Sequence, residues 1–313
     1  MSLVRSAGLQ KFRQSVEALG GDAGAYAGRA GLPVEALDSD ELLVEDSALA
    51  AVLEIAAADL GCPDLGLRVG EAQDFGMLGP LAVAIQHSPS VADALACTSR
   101  YMFVHARDLS VSLVEDPDGA RGVVGLRYSF GAGRRPLPQA TDMTTLFVHR
   151  AVMFLVGGDY GLRSVDLPHQ PVAPRSRYED AFRARIRFGR DSALLRVPSS
   201  LLSRPLDGVD ETLRRIALAF LSGQSPETGP VVAAKVRALL DQSLGTGSTD
   251  LVDVARALAV HPRTLQRQLA AEGESFASIL DGLTRSPTPT HQTTTDNTQT
   301  HCRARICLRE TTV

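Results

Sequence analysis

STDLVDVARALAVHPRTLQRQLAAEG, residues 248–273, is the stretch from which the rest of the chain can be organised. Leu251, Val254, Ala255 and Leu258 recur at i, i+3, i+4 and i+7, one face of a 3.6-residue helix. That spacing predicts a first helix from about Asp250 to Ala259. Ser248 or Thr249 offers a side-chain oxygen to the free N–H groups of its first turn. A second helix is announced by His261-Pro262, because the N–H that proline lacks has no partner at the first helical position. Leu265 and Leu269, four apart, can pack on the first helix. Arg263, Thr264, Gln266, Arg267 and Gln268 share the remaining surface, and Gly273 is a natural stop. Two short helices joined by a tight turn, with arginine and glutamine outward, make a helix-turn-helix pattern.

The outward arc has the chemistry of base reading. Arginine pairs with guanine O6 and N7, glutamine with adenine N6 and N7, and the shorter Thr264 reaches a phosphate or a thymine methyl. Arg263, Thr264, Gln266 and Arg267 are therefore the candidate DNA contacts, with no acid on the arc before Glu272. Spacing alone leaves an ordinary helical hairpin with a solvated arginine face as the competing reading.

Composition bounds the rest. A chain of 313 residues accommodates two domains, and 44% hydrophobic residues supply a sizeable core. All of the 32 basic residues are arginine except Lys11 and Lys235, and there is no tryptophan. The formal net charge of −4 does not advertise nucleic acid, so any DNA contact must come from a local patch. The N-terminus lacks the apolar run of a signal peptide, and no segment approaches the roughly 18–20 apolar residues of a membrane span. Cys62, Cys97, Cys302 and Cys307 form no CxxC pair, which fits a cytoplasmic protein with free thiols. His291, His301, Cys302 and Cys307 lack the paired spacing of a zinc site, so no metal and no cofactor is expected. GxSxG, HExxH, GxGxxG and P-loop signatures are absent, so no catalysis is expected.

Upstream, residues 1–75 read as helical throughout. Leu9, Phe12, Val16 and Leu19 hold helical spacing up to Gly20-Gly21, a short helix at 24–37 is broken by Gly31 and Pro33, and Val44 to Leu60 is strongly amphipathic. A further short helix covers Asp64 to Ala72. Helices follow at about 79–87 and 90–104, the second capped by Ser88 or Ser90. Residues 109–116 and 121–130 are rich in Val and Leu and flank Pro117-Asp118-Gly119, which predicts a β-hairpin. A long helix at about 139–157 ends at Gly157-Gly158. Strands are expected at Ser164 to Leu167, Ile186 to Phe188 and Ala193 to Val197, the last two joined at Gly189-Arg190-Asp191, with a short helix at Tyr178 to Arg183. This mixture is α+β. Arg175, Arg177, Arg183, Arg185, Arg187 and Arg190 form the densest basic run, interspersed with Glu179, Asp180 and Asp191, and read as a solvated surface. Arg100, Tyr101, His105, Arg127 and Tyr128 are polar groups with a chance of facing a pocket. For any one of them, a core-edge residue with a satisfied polar tip is the stronger reading.

The expected division is an α+β domain at 1–221, a Ser/Gly/Pro linker at 222–230, an all-α segment at 231–285 opening with a helix at about 231–243, and a tail at 286–313. The tail, beginning SPTPTHQTTTDNTQT, is too polar to bury a core and is expected to be disordered. The abruptness of that change predicts a frameshift or rearranged gene end, with a natural short tail as the alternative.

HPRTLQRQLAAEG, followed by SFASILDGL, closely resembles the first helix-turn-helix of AraC/XylS-type transcription regulators. GMLGPLAVAIQHSPSVADALACTSRYMFVHA and YEDAFRARIRFGRDSALLRVPSSLLSRPL are similar to the sensor domain of the branch with an N-terminal arabinose-binding-like domain. The resemblance spans roughly residues 5–285. It implies a sensor and dimerisation domain followed by a DNA-binding segment carrying only the first of the family's two helix-turn-helix units. Its implied partners are promoter DNA, a small-molecule effector, a second copy of the chain and, for an activator, RNA polymerase. The alternative is a truncated ligand-binding or dimerisation module with little DNA binding of its own.

Overall fold

Leu3–Arg5 (β1) meets Leu43–Glu45 (β2) across forty residues of chain, in a two-stranded antiparallel sheet that pairs Val4 with Val44. The computed structural model describes residues 2–129, 137–224, 232–233, 236–237, 239–240, 250–258, 262–271 and 274–285. The chain divides into two units, Met1–Ser225 and Pro226–Val313.

The first unit begins with a helical layer. A 3-10 turn at Ser6–Leu9 leads into Phe12–Glu17 (α1), Ala23–Ala30 (α2), a second 3-10 turn at Val34–Leu37, Asp46–Asp59 (α3) and Leu65–Ala72 (α4). Leu9, Phe12, Val16, Val52, Leu53 and Leu65 form its core. The reading of residues 1–75 as wholly helical is corrected by β1 and β2. A three-residue strand shows only one alternation, and its partner is too far away in sequence to leave a local signal. Leu19 is corrected too. The helix stops at Glu17, the chain turns through Gly20 at φ +81°, and Leu19 is exposed.

A 3-10 turn at Phe75–Leu78 then delivers Pro80–Gln86 (α5) and Val91–Tyr101 (α6), followed by a 3-10 turn at Met102–Val104. Proline opens α5, and Ser90 caps α6 by accepting from Asp93 N. Ser110–Glu115 (β3) and Val123–Ser129 (β4) form the expected hairpin, with Gly119 at φ +65° in the turn and Asp116 Oδ2 accepting from Ala120 N at 2.8 Å. Pro138–Leu155 (α7) is the long helix, and it packs on α3 and α4. Ser164–Leu167 (β5), Arg175–Phe182 (α8), Arg185–Phe188 (β6) and Ala193–Pro198 (β7) complete a five-stranded sheet of order β3-β4-β7-β5-β6.

The short link at Gly189 does not close a hairpin between β6 and β7. β5 lies between them, parallel to β6 and antiparallel to β7. A β-α-β connection through α8 brings β6 alongside β5, and local sequence carries no record of that crossover. A 3-10 turn at Ser199–Ser203 leads to Glu211–Gly223 (α9), so Ser222 and Gly223 close a helix where composition had suggested the start of a linker. The sheet and helices α5 to α9 share a second core containing Leu81, Leu126, Leu146, Val165, Leu167 and Leu195.

Of the arginine run, Arg175, Arg183, Arg185 and Arg190 are exposed as expected, but Arg177 and Arg187 are half-buried and taken up by carboxylates. Arg177 is held by Glu71 through Nη1 at 2.8 Å and Nη2 at 2.7 Å, and by Asp64 at 2.7 Å. Arg187 is bidentate on Asp166 at 2.6 Å and also bonds Asp118, while Arg175 lies over the Phe188 ring. These pairs join α8 and β6 to neighbouring elements. Cys62 and Cys97 are buried free thiols, and burial pushes Cys97 up to about 11. Among the described residues no helix is long and apolar enough to cross a membrane.

In the second unit, residues 232–233, 236–237 and 239–240 are helical, and Leu251–Ala257 (α10), Pro262–Ala271 (α11) and Phe276–Arg285 (α12) follow. Ser248 and Thr249, Glu272 and Gly273, and the tail at 286–313 with its His291, His301, Cys302 and Cys307 lie outside the described residues.

Candidate functional site

The second unit is built around a small core of its own. Val236 and Leu240, Val254 and Ala255 of α10, Leu265 and Leu269 of α11 and Ile279 of α12 are all buried together. Asp250 caps α10, its Oδ1 accepting from Val252 N at 3.2 Å. Arg237 reaches Glu274 ahead of α12 in a salt bridge. Ser275 and Ser278 bond reciprocally, each hydroxyl accepting the other's N–H at 3.0 Å, which fixes the first turn of α12.

These contacts fix which face of α11 looks outward. Leu265 and Leu269 are 0% and 1% exposed, so the remaining arc is turned to solvent. Arg263, Gln266 and Arg267 are exposed on it, and Thr264 is half-buried at its edge. The four residues singled out from sequence thus lie on one helix of 10 residues, on the side away from its apolar seam.

The candidate pocket residues separate into two groups. Arg100 and Arg127 are exposed. Tyr101 is buried, its hydroxyl 3.3 Å from Ser222 Oγ, and Arg100 lies over its ring. That is the core-edge role. His105 and Tyr128 come together instead, lining one small cavity of about 60 Å³ with Gln73, Asp46 and Thr144. At about 30 Å³ per liquid water this is room for roughly two molecules. His105 Nδ1 and Gln73 Oε1 are buried without a hydrogen-bond partner among the described residues. Burial, reinforced by Arg5, lowers His105 to about 4, so its ring is neutral. Gln73 Nε2 donates to Gly8 O at 2.9 Å.

Comparison with known proteins decides the family. The model for the arabinose-binding domain of AraC transcription regulators, N-terminal part, matches residues 20–206, well over half of the chain. The chain belongs to the AraC-type transcription regulators. This AraC-type regulator is 30% identical over 273 residues to the HTH-type transcriptional regulator VirS of Mycobacterium tuberculosis, covering 87% of the chain and 80% of the relative. It is 22% identical over 230 residues to the HTH-type transcriptional regulator VqsM of Pseudomonas aeruginosa, covering 69% and 68%. The crystal structure of the transcriptional regulator CdpR from Pseudomonas aeruginosa aligns with a TM-score of 0.48 at 19% identity, over 83% of this chain and 81% of that one. The matched domain and these relatives are named as transcription regulators. Among the described residues of this AraC-type regulator no group of His, Cys, Asp and Glu is placed to hold a metal ion.

Sequence reasoning missed Gln73 and Thr144 as partners of His105 and Tyr128. Each comes from a different element, Gln73 from the end of α4 and Thr144 from within α7, and single polar residues on helices are too common to single out. It also passed over a second, larger cleft of about 370 Å³ between α5 and α7. Its signal was present in the spacing Phe147, Arg150, Phe154 along α7, which sets a charge into an aromatic helix face.

Proposed function

We propose that this regulator is a sequence-specific, effector-responsive DNA-binding protein. Its α10–α11 pair serves as a helix-turn-helix, and α11 enters the major groove. One observation carries the reading: Leu265 and Leu269 are sealed in the core while Arg263, Gln266 and Arg267 stand exposed on the opposite arc. A recognition helix needs that division, because the packed face fixes orientation and the free face meets base edges. Arg263 and Arg267 are assigned to guanine or phosphate, Gln266 to adenine, and Thr264 to the backbone or a thymine methyl. The first unit, Met1–Ser225, would act as sensor and dimerisation domain and 231–285 as the DNA-binding segment. Promoter DNA, a small effector and a second copy of the chain are the proposed partners.

The pairing of copies is supported by α9. Leu213, Ile216 and Phe220 fall at i, i+3 and i+7 and are 45%, 60% and 51% exposed. Large apolar groups gathered on one exposed helix face mark an interaction surface.

A gel shift on the regulator's own promoter tests the DNA assignment. The combined variant Arg263→Ala, Gln266→Ala and Arg267→Ala is expected to abolish the specific complex while keeping the melting temperature of the parent, since all three side chains are exposed. An unchanged shift would remove α11 from the interface.

A further inference from the structure

The cleft between α5 and α7 has the chemistry of an effector site. We propose that it binds a carboxylic acid with an apolar, ring-sized body, Arg150 taking the carboxylate and the phenylalanines the body. This rests on the effector-responsive reading above. The volume of about 370 Å³ is that of a small-ligand site, and the cleft is partly open to solvent.

Its walls are aromatic. Phe147 forms the base and is almost fully buried, Phe154 is 55% exposed at the mouth, and the Phe75 ring lies 5.3 Å from that of Phe154. Val83 of α5 closes the opposite side. Phe154, exposed, and Phe75, half-buried, leave apolar ring surface uncovered beside the cleft, and a flat apolar body covers it by stacking. Arg150 lies between Phe147 and Phe154 on the same face of α7 and is exposed. Unlike Arg177 and Arg187, which are saturated by carboxylates of their own chain, Arg150 makes no salt bridge among the described residues. The acid at the cleft, Asp74, turns Oδ1 onto Gly76 N at 2.7 Å and not onto Arg150. A guanidinium offers a planar, two-toothed donor set, which a carboxylate matches and an amine or alcohol does not.

A second observation lies behind the floor of the cleft. Gln73 and Phe147 line both this cleft and the small cavity of His105 and Tyr128. Buried unpartnered polar atoms are uncommon in native cores, and here Gln73 Oε1 and His105 Nδ1 fall beside the same wall. The cleft therefore backs onto polar groups still able to accept a contact, and Gln73 ties that wall to the first 3-10 turn through Gly8.

Isothermal titration calorimetry on the full chain, without DNA, tests the site. The probes are phenylacetate and octanoate, with 2-phenylethylamine and 1-octanol as matched controls. The acids are expected to bind, and amine and alcohol to bind at least about ten-fold more weakly, the scale of a charge-assisted contact. Arg150→Gln is expected to weaken phenylacetate by at least about ten-fold, with the unliganded melting temperature unchanged. Val83→Trp, which fills the cleft, is expected to exclude both acids. The proposal is overturned if neither acid binds at millimolar concentration, if the amine binds as well as the acid, or if Arg150→Gln binds phenylacetate like the parent. Repeating the promoter gel shift with saturating phenylacetate separates the two readings. Altered affinity supports both, whereas an acid that binds without altering affinity upholds the cleft and overturns its role as effector site.

Discussion

His149 and His105 are two buried rings whose protonation couples folding to pH. His149 Nδ1 lies 2.7 Å from the Tyr160 hydroxyl in an apolar setting beside Phe182. Burial, with help from Arg150, lowers the imidazole from 6.5 to about 4, and His105 is lowered to about 4 by burial and Arg5. The unfolded chain takes up a proton on each ring near pH 6.5, and the folded chain does so only near pH 4. Between those values the unfolded state holds more protons. The stability from each neutral ring is therefore complete above about pH 6.5 and is lost as pH falls through about 4. Each ring contributes about 3 kcal/mol to that loss. Thermal melts from pH 7 to pH 4 are expected to fall less steeply for His149→Gln than for the parent, and parallel curves would refute the assignment. At this scale sequence reading was uneven. On β4 the alternation that places Tyr128 inward puts Arg127 outward. A list of polar residues therefore mixed true cavity groups with solvent-facing ones until strand register was known.

Helices and turns were more legible, because their signals are local. The hairpin of β3 and β4, the Ser90 cap of α6, the long helix α7 and the proline start of α11 follow from spacing and capping chemistry within a few residues. What stayed hidden was tertiary. β1 and β2 pair across forty residues, β5 inserts between β6 and β7, and Arg177 finds Asp64 and Glu71 more than a hundred positions away. The crossing of α4 on α7 belongs here too. A Cβ on Gly66 would sit 2.2 Å from Gln139 O, and one on Gly70 2.7 Å from Met143 O. Two glycines four apart let the helices touch backbone to backbone. Alanine gains about 1 kcal/mol of helix propensity, but overpacking costs about 1–3 kcal/mol or more. Gly66→Ala is therefore expected to lower the melting temperature, and a raised value would show that the crossing tolerates a side chain. In the second unit, Leu265→Ala removes the main knob between α10 and α11. It is expected to cost that unit about 2–5 kcal/mol in a denaturant titration.

For the whole molecule, charge and symmetry set the terms of recognition. A chain with net charge −4 gains no general attraction to DNA, so the proposed reading concentrates affinity on α11 and raises it by pairing of copies. Ile216→Glu on α9 is expected to convert a dimer to a monomer in sedimentation velocity, and an unchanged sedimentation coefficient would move the interface elsewhere. The central claim, that α11 reads sequence, is met most directly by fluorescence anisotropy. The parent and Arg267→Ala are titrated against the regulator's own promoter duplex and a scrambled duplex at equal salt. A bidentate base contact is worth about 1–3 kcal/mol of discrimination. Arg267→Ala should therefore lose roughly ten-fold or more on the promoter and little on the scrambled duplex. Equal promoter affinity for the two proteins would contradict the account.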